Sequence, residues 1–147
     1  MIARRILLAI ATPLAMMALA APAAAAVINV VKTASCGCCG KWVEHMKKAG
    51  HDVRVTNVDD VTPTAKRLGV PDDLRSCHTS TVGGYAIEGH VPAADIARLL
   101  KEKPKAAGIA VPGMVAGSPG MEMGANKPAY QTIIFTRDGK RKVFAQH

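Results

Sequence analysis

The pattern of apolar and polar residues predicts alternating strands and helices in the first part of the chain. Residues 27–32 form a short β-branched apolar run, which is typical of a buried strand. In residues 39–49 the apolar side chains recur at helical spacing, so we predict a helix. Residues 51–58 alternate as a second strand does, and residues 62–68 predict a short helix with Thr62 as its N-cap.

The next part of the chain is divided by glycine and proline. Residues 79–87 predict a strand that Gly83 and Gly84 interrupt, through a bulge or a tight turn. Pro92 begins a further helix, whose apolar side chains fall on one face. Residues 108–124 are rich in glycine, proline and methionine, so we predict a loop there.

The predicted order of elements indicates an α/β, thioredoxin-like single domain with a C-terminal β-hairpin. Residues 130–144 form this hairpin, with Asp138-Gly139 in a type I′ turn. A strand that leads into a Cys-x-x-Cys turn at a helix N-terminus begins thioredoxin-like folds, and Cys36 and Cys39 have this spacing. In that topology Cys77, which precedes the third predicted strand, faces the cysteine turn.

The N-terminal segment has the features of a secretory signal peptide. Arg4 and Arg5 supply positive charge, residues 6–19 are apolar, and residues 24–26 offer small side chains for cleavage. We therefore divide the chain into a signal peptide, residues 1–26, and one domain, residues 27–147. The expected location is the periplasm; ordinary and twin-arginine export both remain open.

The remaining ~120 residues suffice for one compact domain. The formal net charge is +8, and removal of the signal peptide lowers it to about +6. Export and the 3% content of aromatic residues argue against nucleic acid as a partner. After the signal peptide no apolar run is long enough for stable insertion into a membrane.

Four cysteines, Cys36, Cys38, Cys39 and Cys77, are the strongest chemical feature of the sequence. Exported proteins usually hold an even number of cysteines as disulfides. A Cys36–Cys77 disulfide would stabilise the fold by roughly 4 kcal/mol, but it would leave the adjacent Cys38 and Cys39 unexplained. Structural zinc usually takes two separated Cys-x-x-Cys pairs, of which the chain has one. A thiol oxidoreductase would need only Cys36 and Cys39.

Copper(I) suits this spacing best. Three cysteines within four residues concentrate thiolates, and the positive end of a helix lowers the pKa of thiols placed there. Copper(I) is a soft ion that prefers thiolate and thioether ligands. We therefore predict a copper(I) site on the four cysteines, with zinc, disulfides and redox chemistry as open alternatives.

Methionines and histidines provide further candidate ligands. Met114 and Met121 lie in the predicted Gly/Pro loop, where a thioether can bind copper or pack against the core. His90, at a junction of loop and helix, is an auxiliary candidate, and His78 follows Cys77 directly. His45 is about two helical turns from the cysteines, too far along the axis to share their metal.

Together these residues resemble one family, the periplasmic CopG-type copper-resistance proteins. The resemblance lies in five segments in order, namely CGCCG (36–40), SCHT (76–79), EGHVP (88–92), VPGM (111–114) and GSPGME (117–122). It implies a thioredoxin-like fold, a role in copper resistance and a sulfur-bridged copper cluster on Cys36, Cys38, Cys39 and Cys77. A redox or copper-transfer activity has been proposed for this family.

The sequence as a whole predicts a periplasmic copper(I)-binding protein for copper homeostasis and resistance. Its expected partners are copper ions and other periplasmic copper proteins, among them a copper-efflux system. Two alternatives stay open. One is a thiol-disulfide or copper oxidoreductase that uses Cys36 and Cys39, and the other is a metallochaperone that delivers copper to the efflux system.

Overall fold

Strands and helices alternate along most of the chain. The computed structural model describes residues 25–125 and 127–147, so nearly all of the predicted signal peptide lies outside the described residues. The elements, in chain order, are β1 (Val27–Lys32), α1 (Gly37–Lys48), β2 (Asp52–Asn57), α2 (Thr62–Arg67), a short 3₁₀ helix (Asp72–Leu74), β3 (His78–Val82), β4 (Tyr85–Glu88), α3 (Ala93–Glu102), β5 (Gly108–Ala110), β6 (Gln131–Phe135) and β7 (Arg141–Gln146).

All seven strands of the described residues belong to one mixed sheet, in the order β2-β1-β3-β4-β5-β6-β7. The pairs β1–β2 and β4–β5 are parallel, and the other neighbours are antiparallel. The fold is therefore a mixed α/β domain with three α-helices, and β6 and β7 form the predicted C-terminal hairpin.

The central strands β3, β4 and β5 are buried on both faces of the sheet, to which successive side chains point alternately. On one face Ile87 and Ile109 pack in the main core, which also holds Trp42 of α1 and Leu99 of α3. On the other face a smaller core surrounds Phe135. Burial of each large apolar side chain contributes about 1.5–3 kcal/mol, so α1 is firmly held against the sheet through Trp42 and its neighbours.

The structure decides one open prediction and corrects another. Of the two alternatives for the interruption in residues 79–87, the tight turn is correct: Gly83 and Gly84, whose φ angles are +55° and +86°, join β3 and β4 in a hairpin. Residues 108–110, predicted as loop, form β5 between β4 and β6. A Cβ atom on Gly108 would overlap the carbonyl oxygen of Ala86, so this pairing needs glycine.

Two local predictions are wrong. Thr62 is the first residue of α2 and Val61 is its N-cap, while the backbone N–H of Thr62 donates to Asp60 Oδ1 over 2.8 Å. The turn at Asp138-Gly139 is not type I′, because that turn needs positive φ at two residues and only Gly139, at +83°, has it. The Thr136 N–H donates to Lys140 O, as in a three-residue hairpin loop that ends with a left-handed glycine.

No helix within residues 25–125 and 127–147 has both the length and the apolar composition needed to cross a bilayer.

Candidate metal centre

The pairing of β1 with β3 brings the four cysteines together. Lys32, the last residue of β1, lies opposite His78, the first residue of β3. The turn that leaves β1 therefore passes beside Cys77. Cys36 is the N-cap of α1, and the other two cysteines of the triad lie in its first turn.

The sulfur atoms form one compact group. Cys36 and Cys39 are joined by a disulfide, while Cys38 and Cys77 are free thiols. Cys38 Sγ lies 3.5 Å from Cys36 Sγ and 3.9 Å from Cys77 Sγ, and Cys39 Sγ lies 3.5 Å from Cys77 Sγ. The Sγ atoms of all four cysteines lie within 4.8 Å of one another. When the disulfide is reduced, four thiols therefore share one small volume.

The N-terminus of α1 favours negative charge at this place. No side chain caps the helix, and its first turn has no acidic residue. The helix end therefore keeps its unpaired N–H groups and its partial positive charge for the sulfurs beside it.

Cys77 lies in a different electrostatic environment. Burial, followed by the neighbouring Cys38, raises the pKa of the Cys77 thiol to about 11. At neutral pH this thiol holds its proton, and a metal ion must displace that proton to bind.

A buried carboxyl group fixes the segment that carries Cys77. Glu88 Oε1 accepts a hydrogen bond from the Ser76 backbone N–H, and Oε2 accepts one from the Thr79 hydroxyl, both over 2.7 Å. Cys77 lies between these two donors. Burial raises the pKa of Glu88 to about 7, outweighing the two hydrogen bonds, which lower it. Glu88 is not among the residues predicted from the sequence, where its one available indication is its place in the EGHVP segment.

The raised pKa of Glu88 predicts that stability falls with pH. The folded state binds this proton more tightly than the unfolded chain, so its contribution is full below about pH 4.5 and is lost as the pH rises to about 7. The total loss is on the order of 3 kcal/mol, at about 1.4 kcal/mol per pKa unit. We expect Glu88→Gln to remove this loss, because the glutamine amide can accept a hydrogen bond from the Ser76 backbone N–H and donate one to the Thr79 hydroxyl.

The measurement is urea unfolding of reduced, metal-free protein between pH 4.5 and pH 8. Relative to that of the unmodified protein, the free energy of unfolding of Glu88→Gln should increase as the pH rises. Glu44→Gln, at an exposed position on α1, is the control and should follow the unmodified protein. If the difference in free energy of unfolding between Glu88→Gln and the unmodified protein does not change with pH, the raised pKa of Glu88 is contradicted.

Two buried histidines lie against Cys77. His90 Nε2 is 3.1 Å from Cys77 Sγ, and His78 Nδ1 is 3.6 Å from it. His90 Nδ1 donates to Pro119 O over 2.8 Å, since a carbonyl only accepts, so the lone pair of the neutral ring is on Nε2 and faces the sulfur. A histidine held in this way has the tautomer that metal sites use. Burial lowers the pKa of both rings, so both are neutral near pH 7.

The predicted Gly/Pro/Met loop packs over this group. Besides the bond from His90 to Pro119, a Cβ atom on Gly120 would lie only 2.8 Å from Cys38 O and 2.7 Å from Trp42 N, so the loop touches the backbone of α1. Glu122 pairs with His45 Nε2 over 2.7 Å. His45 thus ties the loop to α1, and it belongs to neither group of candidate metal ligands.

The predicted ligands occupy different positions. The four cysteines and His90 lie together, as described above. Met121 is half-buried and directly follows the contact of Gly120 with α1, whereas Met114 is 58% exposed. Both methionines stay predictions as copper ligands. His78, which follows Cys77 directly, is fully buried, a property that the sequence does not reveal.

The donor atoms of the site suit a soft metal ion. Four sulfurs and one imidazole nitrogen with an available lone pair match the preferences of copper(I) and of zinc, and they are unlike the oxygen ligands of magnesium or calcium. In the reduced chain the thiols would hold the ion, and His90 would complete their set.

Known proteins similar in fold and sequence show the family to which the chain belongs. Residues 74–121 match the family described as "Protein of unknown function, DUF411". No curated protein is significantly similar to the chain. The solved structure named "Copper resistance protein copG- Form 2" is 44% identical, with 84% of this chain and 99% of that chain covered and a TM-score of 0.80. For "Copper resistance protein copG- Form 1" the identity is 45%, the coverage 82% and 96%, and the TM-score 0.78. The chain therefore belongs to the CopG-type copper-resistance family.

Proposed function

We propose that this protein binds copper(I) in the periplasm and contributes to copper homeostasis and resistance through a cysteine cluster. The observation that carries the proposal is the group of four Sγ atoms within 4.8 Å, drawn from two segments of the chain. Sulfurs this close can bridge several copper(I) ions, which accept thiolate ligands readily. The names of the two related structures, both copper resistance proteins, support the same function.

The topology supports a thioredoxin-like fold. The elements from β1 to α3 give four strands in the order β2-β1-β3-β4, with β1 and β2 parallel and β3 antiparallel to its neighbours. This is the arrangement of the thioredoxin core, with the Cys-x-x-Cys turn at the N-terminus of its first helix. The additional strands β5, β6 and β7 extend the sheet beyond that core.

The location follows from the sequence. Residues 1–26 act as the export signal, and residues 27–147 form the copper-binding domain. His90, Met114 and Met121 are auxiliary ligands, the methionines offering thioethers that bind copper without losing a proton.

An anaerobic copper(I) titration of the reduced protein tests this function. We expect several copper(I) ions per chain, counted by metal analysis after gel filtration. Cys38→Ser should lower this number, because Cys38 Sγ lies close to the sulfurs of both Cys36 and Cys77. A copper count near zero in the unmodified protein, with zinc retained instead, would refute the proposal.

A second candidate function, thiol oxidoreductase, is favoured by the Cys36–Cys39 disulfide. In that reaction a substrate dithiol gives two electrons and two protons to the disulfide and becomes a disulfide itself. With copper(II) as the substrate, the reduced pair would give one electron to each of two ions, release two protons and re-form the disulfide. Such an enzyme keeps its activity in Cys38→Ser and loses it in Cys36→Ser, which separates it from a cluster protein.

A third candidate is a metallochaperone that delivers copper to an efflux system. The exposed Met114 favours this role, because a thioether on the surface can contact copper during transfer.

A further inference from the structure

Two groups of candidate ligands overlap at Cys77. The first is the group of four sulfurs. The second consists of Cys77, His78 and His90, whose ligand atoms also lie within 4.8 Å of one another. The two histidine rings meet edge to face, with centroids 5.1 Å apart.

The two groups respond differently to oxidation. The Cys36–Cys39 disulfide removes two of the four thiols from the first group. It includes no atom of the second group, which keeps one thiol and two imidazoles. The chain in this structure therefore has an incomplete sulfur group and a complete mixed group.

The surroundings of His78 point to a role beyond packing. Its side chain is fully buried, and its Nε2 atom has no hydrogen-bond partner in the described part of the chain. The polar contact of its other nitrogen is with Cys77 Sγ. Buried polar atoms are nearly always hydrogen-bonded, so the unpartnered Nε2 atom of this imidazole calls for a functional explanation.

His90 supplies the better-prepared nitrogen of the pair. Its Nδ1–H is fixed on Pro119 O, which directs the lone pair of Nε2 toward Cys77. One thiolate with two neutral imidazoles is a ligand set that protein copper sites use.

From these observations we infer that Cys77, His78 and His90 form a separate site for one copper ion, which persists when Cys36 and Cys39 are oxidised. The inference rests on the proposed function and adds that oxidation reduces the copper content to a single ion instead of removing all of it. In the oxidation, a small-molecule disulfide accepts two electrons and the two protons of Cys36 and Cys39, and it leaves as two thiols.

The test compares the fully reduced protein with the protein oxidised anaerobically by such a disulfide. Intact mass and thiol labelling confirm one disulfide and two free thiols. Each form receives copper(I) alone and is freed of unbound ion before metal counting. We expect several copper ions on the reduced form and one on the oxidised form. The double variant Cys36→Ser/Cys39→Ser, which lacks the pair altogether, should also bind one.

Variants of the oxidised form identify its ligands. His90→Gln can still donate to Pro119 O but lacks the ligand nitrogen, and His78→Leu fills the same buried space without nitrogens. Each should weaken copper binding at least about 10-fold. Cys38→Ser should leave it unchanged. His51→Gln, a buried histidine outside both groups, is the matched control.

Trp42 provides a second readout. It is the one tryptophan of the chain, and its ring centroid lies 4.6 Å from that of His78. Copper at the mixed site should therefore quench its fluorescence in the oxidised form.

The outcomes separate the two claims. Several copper ions on the reduced form and none on the oxidised form would overturn the inference and leave the proposed function standing. Loss of copper from oxidised Cys38→Ser, with retention in His78→Leu, would also overturn it, since two sulfurs would then hold the ion. A reduced form that binds no copper would refute the proposed function and the inference with it.

Discussion

The substitution Cys77→Ser is expected to lower the copper affinity and the copper count more than any other single substitution. The Cys77 sulfur is the point where the two ligand groups meet, 3.5 Å from Cys39 Sγ and 3.1 Å from His90 Nε2. Loss of a residue that merely orients a metal ligand typically lowers affinity about 10–100-fold, so loss of this ligand should lower it more than about 100-fold. Competition with a copper(I) chelator measures the affinity, and metal analysis gives the copper count of the reduced protein.

The control for this variant is Ser80→Ala, which changes a small buried side chain on β3, the strand that directly follows Cys77. The Ser80 hydroxyl has no hydrogen-bond partner among the described residues, so its removal should alter neither stability nor copper binding. Unfolding of both variants without metal separates copper loss from damage to the fold. If folded Cys77→Ser keeps the full copper count and affinity, Cys77 is not a ligand.

Gly120→Ala should produce the largest effect on the fold at the site. The φ of Gly120 is +86°, where a side chain costs about 1–3 kcal/mol. The new methyl group would also lie 2.7–2.8 Å from backbone atoms of α1, and such overpacking costs about 1–3 kcal/mol more. We expect the free energy of unfolding to fall by roughly 2–6 kcal/mol, the sum of these costs.

Gly124→Ala is the matched control for this substitution. Gly124 also has positive φ, +73°, but an added Cβ atom there meets nothing within 4 Å. The difference between the two variants in urea unfolding therefore isolates the contact between the loop and α1. Gly120→Ala should also weaken copper binding, because a displaced loop withdraws Pro119 O from His90. Equal stability of the two variants would contradict the close contact.

Much of the fold was predictable because the pattern of apolar residues is strong where an element is long. The helix predicted for residues 39–49 is α1, displaced by two residues at its start. The three-residue β5 has too few positions to show alternation, and it pairs with β4 only because Gly108 permits a close approach. Such short strands depend on their partners, which local sequence does not reveal.

The part of the candidate site that depends on the spacing of residues along the sequence was predictable. The positions of Cys36, Cys38 and Cys39 within four residues indicate a joint site without any structure. That Cys77 joins them depends on the pairing of β1 with β3, which entered the prediction through the assumed topology. Glu88 and His78 are functional candidates because they are buried, and burial of a polar residue cannot be inferred from its type, since such residues usually lie on the surface.

If the protein binds copper as proposed, the division of the candidate ligands between two chain segments also determines how copper affects folding. Three of the cysteines are neighbours in sequence and remain able to bind copper in an unfolded chain. A ligand stabilises a fold only by the margin with which it prefers the native state over the unfolded one. That margin comes from Cys77 and the histidines, which reach the triad only when β1 and β3 pair. Copper that reached an unfolded chain would therefore meet a partial site first, and the pairing of β1 with β3 would then complete the site and strengthen its binding.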